Sequence, residues 1–161
     1  MEEIILFKNI LVESADKLIN VSETSIKEYM EKADLLVAML NKILLKREDI
    51  LKLIGGKNNI TIMKNNHHSH LCFIAAILQV PDSKTLVDTL LWVFHTFLSR
   101  GFSPNYWEVQ LSTLTLLMKE NISQKSFVEI SNIYNWMNSN ISLFTMIADN
   151  QLGESKIKLS V

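Results

Sequence analysis

Four glycines and two prolines are all the strong helix breakers this chain contains. Gly55-Gly56, Pro81, Gly101, Pro104 and Gly153 cut it into long segments, each with apolar residues at helical spacing. So few turn formers argue against an all-β sandwich or barrel. The spacing predicts helices over roughly 2–19, 22–46, 49–54, 60–79, 83–100, 104–121 and 124–149. These form one all-α domain over residues 1–152, followed by a frayed tail over 153–161. A chain of 161 residues buries roughly 70% of its unfolded surface, so it needs no metal or disulfide staple.

Local signals sharpen several boundaries. Asp82 after Pro81 is a good N-cap, and Ser103-Pro104 places a capping serine before a proline at the first helical position. Ser25 and Glu28 fit a capping box, and Ile26, Met30, Ala33, Val37, Leu40 and Leu44 then form one apolar stripe. Gly55 suits the left-handed residue that ends the short helix before it. Segments 60–79 and 83–100 are apolar nearly all round, which places them inside.

Charge and targeting exclude some functions. Basic residues number 16 against 17 acidic, and only Arg47 and Arg100 are arginines. A nucleic-acid binder would need a basic face. The start, Met1-Glu2-Glu3-Ile4, is acidic where a secretory signal opens basic. The longest apolar run, Leu71 to Leu78, falls well short of the about 20 residues that span a bilayer. The expectation is a soluble, cytoplasmic protein without membrane insertion, and its single Cys72 fits a reducing compartment.

No catalytic motif is present: no glycine-rich phosphate loop and no nucleophile elbow. The expectation is therefore a protein that is not an enzyme. Cys72, within Leu71-Cys72-Phe73-Ile74, reads as a small core residue. His67-His68-Ser69-His70 is the most unusual local feature. It lacks the further ligands a zinc site requires, so no metal is expected. His67 and His68 read as exposed. His70 shares a face with Asn66, Phe73, Ile74 and Ile77, which allows an inward position with a hydrogen-bond partner or an outward one. His95 lies among apolar residues, with Leu91 and Leu98 a turn away on either side. It is either a satisfied core histidine or a polar anchor in an apolar pocket. Arg100 either complements the helix C-terminus or contacts a carboxylate or halide ion.

Gly101-Phe102-Ser103-Pro104-Asn105-Tyr106-Trp107 carries a resemblance. It is similar to the corner between the sixth and seventh helices of bacterial sensor globins. There a haem-ligating histidine is followed by three residues, then glycine, an apolar residue, any residue, proline, any residue and two aromatics. Gly101, Phe102, Pro104, Tyr106 and Trp107 match, but the iron-ligand position holds Phe97 and His95 is two residues away. The chain thus resembles the haem-less sensor globins of spore-forming bacilli. Within them it is most like the small stand-alone proteins that copy a sporulation histidine kinase's sensor domain and inhibit sporulation.

The resemblance implies a globin-like fold of six to seven helices with no haem and a fatty acid in the former haem cavity. It also implies a homodimer through the closing helices. Phe73, Ile74, Ile77, Leu91, Phe94 and Leu98 would face the acyl chain, with His70, His95 and Arg100 as candidates for its carboxylate. Phe127, Ile130, Tyr134, Met137, Ile141 and Phe144 would form the dimer face, because the last segment has more apolar positions than one inner stripe needs. With no length left for an output domain, the protein would sequester a signal or compete with the kinase. Two other readings stand beside this one: a haem sensor using His95, and a helical adaptor without ligand.

Overall fold

The structure, a computed structural model, describes the backbone of residues 2–158 and the side chains of residues 2–150. Among the described residues there are eight α-helices, one 3₁₀ turn and no strand. The helices are α1 (Glu2–Asp16), α2 (Glu23–Leu45), α3 (Ile50–Leu53), α4 (Ile60–Gln79), α5 (Ser83–Ser99), α6 (Asn105–Asn121), α7 (Gln124–Ser139) and α8 (Ile141–Lys158). The turn, Lys57–Asn59, leads into α4. No helix among the described residues is long and apolar enough to cross a membrane. The all-α expectation is met.

Several local signals act as the sequence predicts. Asp82 accepts the Thr85 N–H at 2.9 Å and starts α5. The Ser103 hydroxyl accepts the Asn105 N–H at 3.3 Å and starts α6. Gly55 is left-handed, with φ +76°, and closes α3.

The capping box does not form. Glu28 instead crosses to α7, accepting the Ser123 N–H at 2.7 Å and the hydroxyls of Ser123 and Ser126. Glu129 on α7 returns the contact, accepting the Ser22 N–H at 2.9 Å and its hydroxyl at 2.7 Å. Two helix N-termini thus exchange carboxylates. These bonds to the ionised form, with those to the Ser126 and Ser22 hydroxyls foremost, hold both carboxyls below their ordinary range.

The predicted last segment is two helices. The Asn138-Ser139-Asn140 run has poor helix propensity, and the Asn140 side chain donates to the Trp136 carbonyl at 2.8 Å, closing α7. From there α8 runs to Lys158, past the predicted end near 149 and into the residues expected to fray. Residues 159–161 of that tail lie outside the described residues.

Helix α2 packs against α4, α6 and α7, while α5 packs against α8 and α1. The α2 stripe is rotated from the predicted one: Tyr29, Leu36, Leu40 and Leu44 are fully buried, and Met30 is exposed. Both α4 and α5 keep a solvent face, on which Cys72 and Trp92 stand.

One corner fixes how α4 and α5 meet. The Ser103 N–H donates to the Leu53 carbonyl at 2.8 Å. The Asn59 side-chain amide donates to the carbonyls of Ile54, at 2.7 Å, and Arg100, at 2.9 Å. The start of α4 is thereby tied to the end of α5.

Candidate functional site

Because α4 leans on α2 and α5 leans on α8, an apolar cavity of about 290 Å³ remains between them. That is near the lower end of the ~300–1,000 Å³ typical of small-molecule sites. Its floor is aromatic. Phe94 stacks on Trp107 with centroids 4.7 Å apart, Phe97 meets Trp107 edge-on at 5.4 Å, and Phe144 closes on Phe94 at 5.2 Å. Its mouth is more polar, with Asn65, Ser69 and the exposed Trp92 among the lining residues. A larger hollow of about 990 Å³ is a polar groove between α6 and α8, lined by residues such as Glu108, Ser142 and Asp149. Its apolar residues, Pro104, Ile141 and Met146, are interspersed with polar and charged ones.

Of the predicted ligand residues, His70, Phe73 and Phe94 line the cavity. Ile74, Ile77 and Leu91 are buried in the core outside it, and Leu98 packs against the core. The predicted head-group candidates separate. His95 faces α8, with Nδ1 3.5 Å from the Ala148 carbonyl. Arg100 is exposed at the end of α5, in the corner rather than the cavity. His70 alone reaches the cavity, because it lies on the inner stripe of α4 with Met63, His67 and Ile74.

The cavity also has three buried polar atoms without a partner: Asn66 Oδ1, His70 Nε2 and Trp107 Nε1. Asn66 and His70 are one turn apart on α4, so their side chains are neighbours. His70 is 7% exposed and Trp107 3%. Burial pushes the His70 imidazole down to about 4, so it is neutral at pH 7. Its ring meets Tyr134 edge-on at 5.6 Å, and Tyr134 shares a 2.5 Å hydrogen bond with Tyr29 of α2.

His67 is the largest correction among the histidines. It is fully buried, not exposed. Nδ1 lies 2.6 Å from Asn41 Oδ1 on α2, and Nε2 lies 2.9 Å from the Tyr106 hydroxyl on α6. Nδ1–H therefore donates to Asn41, and Nε2 accepts from Tyr106, linking three helices through one neutral ring. Burial first, and the neighbouring His70 second, push it down to about 3. The signal was in the sequence: 63, 67, 70, 74 and 77 are spaced as one helix face. Cys72 is also corrected; it is exposed, beside His68 rather than in the core.

The predicted dimer face is corrected too. Ile130, Tyr134, Met137 and Phe144 are buried in the chain's own core, and Phe127 and Ile141 pack partly buried against it. The break at Asn140 explains this: α7 turns its stripe to α2 and α6, and α8 turns its own to α5. Met137 and Phe144 line the cavity, and so do Phe97, Trp107 and Leu111, which the sequence did not assign to the ligand. Among the described residues, no group of three metal-ligating side chains comes together. No family model, curated protein or solved structure matches this chain, so the cavity walls themselves are the guide to its occupant.

Proposed function

We propose that this protein is a haem-free, globin-like sensor domain that holds a fatty acid between α4 and α5 and performs no catalysis. The observation that carries this reading is the apolar cavity with unpaired polar atoms in its wall. A purely structural core would close over such a space, because a void forfeits packing and an unpaired buried polar atom costs about 1–3 kcal/mol. A chain of about eight methylenes gains roughly 6 kcal/mol on burial, at about 0.8 kcal/mol each. That exceeds the lower estimates, about 4 kcal/mol, for the freedom lost on association.

The cavity disfavours haem. Phe94, Phe97, Phe144 and Trp107 occupy its inner side, and no histidine but His70 is present to ligate iron. Protein supplied with excess haem is expected to show no Soret band; a stoichiometric band lost in His70→Ala or in His95→Ala would reverse this.

The function is tested on purified protein. Decanoic to octadecanoic acids are expected to raise the melting temperature, by roughly 5–10 °C for the best fit at about 100 times its Kd. Lipid is expected in an extract of denatured protein. No lipid and no shift with any of these acids would overturn the ligand reading. Action on a sporulation kinase, by competition or by sequestering its signal, rests on the family resemblance. Excess protein is expected to lower that kinase's autophosphorylation, and unchanged activity would remove this role.

A further inference from the structure

Three buried polar atoms of the residues lining this cavity, Asn66 Oδ1, His70 Nε2 and Trp107 Nε1, are left without partners, and the polar end of an acyl chain lodged among them would supply those partners. Their chemistry is restrictive. The indole N–H only donates, the amide oxygen only accepts, and a neutral imidazole nitrogen does one or the other according to its tautomer. No Lys, Arg, Asp or Glu lines the cavity from any of the five helices around it. The titratable groups near His70 are Tyr134 of α7, whose ring it meets edge-on, and His67, one turn back on α4. Tyr134 is hydrogen-bonded to Tyr29, and His67 to Asn41 and Tyr106. None of them supplies a positive charge.

On the reading that the cavity holds an acyl chain, we propose that it selects an uncharged head group that both gives and takes a hydrogen bond, and rejects the carboxylate. A protonated carboxylic acid fits this set. Its carbonyl accepts from Trp107, and its hydroxyl donates to Asn66 or to a His70 nitrogen. A primary alcohol fits in the same way. A carboxylate offers acceptors alone, would leave Asn66 Oδ1 unpaired, and brings a charge into an apolar space without a counter-ion. One route remains for the acid as an ion pair, in which His70 takes the proton. Burial holds that imidazole down to about 4. Either way the complex carries one proton more than the free protein and free carboxylate at neutral pH, so fatty-acid binding is coupled to the uptake of one proton.

The test is calorimetric titration of the intact protein with 1-decanol and with decanoate, which share a tail length and differ in head-group charge. At pH 8 decanol is expected to bind at least about tenfold more tightly. Between pH 8 and pH 6 the affinity for decanoate is expected to rise about tenfold per unit, the signature of one proton taken up, while that for decanol stays flat. Decanoate binding as tightly as decanol at pH 8, or with a flat pH profile, overturns the head-group selection and leaves the acyl-chain reading standing. Binding of neither compound at any pH overturns both.

Discussion

Lowering the pH from 7 to 4.5 is expected to cost the fold about 5 kcal/mol, comparable to the whole stability of many domains. The source is the pair of buried histidines on α4. His67 is pushed down to about 3 and His70 to about 4, from an ordinary value of 6.5. As the pH falls through 6.5 the unfolded chain binds a proton at each position, and the folded chain does not. Stability is therefore complete above pH 6.5 and is lost progressively down to the folded values, at about 1.4 kcal/mol per histidine per pH unit. Two histidines make the slope roughly 2.7 kcal/mol per unit between about pH 6 and pH 4.5. Glu28 and Glu129 add to the loss only lower down, because their carboxyls lie below the ordinary carboxylate range. Urea denaturation at half-unit steps of pH measures this directly. His70→Gln is expected to halve the slope, since it removes one of the two titrating rings. A urea midpoint that stays flat from pH 7 to pH 4.5 would show that these rings are not buried as described.

The same two residues show what was legible in the sequence. Spacing left His70 either inward or outward and His67 read as exposed, although the spacing that serves Met63 and Ile74 puts both histidines on the inner face of α4. What spacing did not carry was the partner. Asn41 lies on α2 and Tyr106 on α6, and no local pattern announces a contact across three helices. Caps divide along the same line. Asp82 bonds within its own turn and was readable. Glu28 had a local partner in Ser25 and a distant one in Ser123, and the distant one prevailed. The surplus of apolar residues after Ser123 looked like a second face on one helix. It was two inner faces on two helices, because a short Asn-Ser-Asn run broke the segment without a glycine or proline to mark the place. Of the cavity, only His70, Phe73 and Phe94 were legible. Its boundaries were not, because they depend on how far α4 and α5 stand apart, which the corner sets.

That corner carries the other large expected effect: Gly55→Ala is expected to destabilise the protein by about 3 kcal/mol or more, lowering its melting temperature by roughly 6–12 °C. Part of the cost is the backbone, since φ at Gly55 is +76° and an L side chain in that region loses about 1–2 kcal/mol. The rest is contact. A Cβ there would lie 2.4 Å from the Gly101 carbonyl oxygen, and backbone cannot swing aside as a side chain can. Gly56 provides the control. Its φ is +121°, so alanine is strained there too, but its Cβ would meet nothing within 4 Å. Gly56→Ala therefore reports strain, and the excess loss in Gly55→Ala reports the corner. Separating Gly55 from Gly101 also pulls on the Ser103 to Leu53 bond and on the Asn59 amide that holds the carbonyls of Ile54 and Arg100 together. These bonds hold the start of α4 to the end of α5, and both helices owe most of their packing to other neighbours. The cavity walls should then part, and Gly55→Ala is expected to lose affinity for an acyl ligand under conditions where it is still folded, while Gly56→Ala keeps it. Equal losses of stability in the two variants, with equal affinities, would mean that the gap between α4 and α5 is set elsewhere.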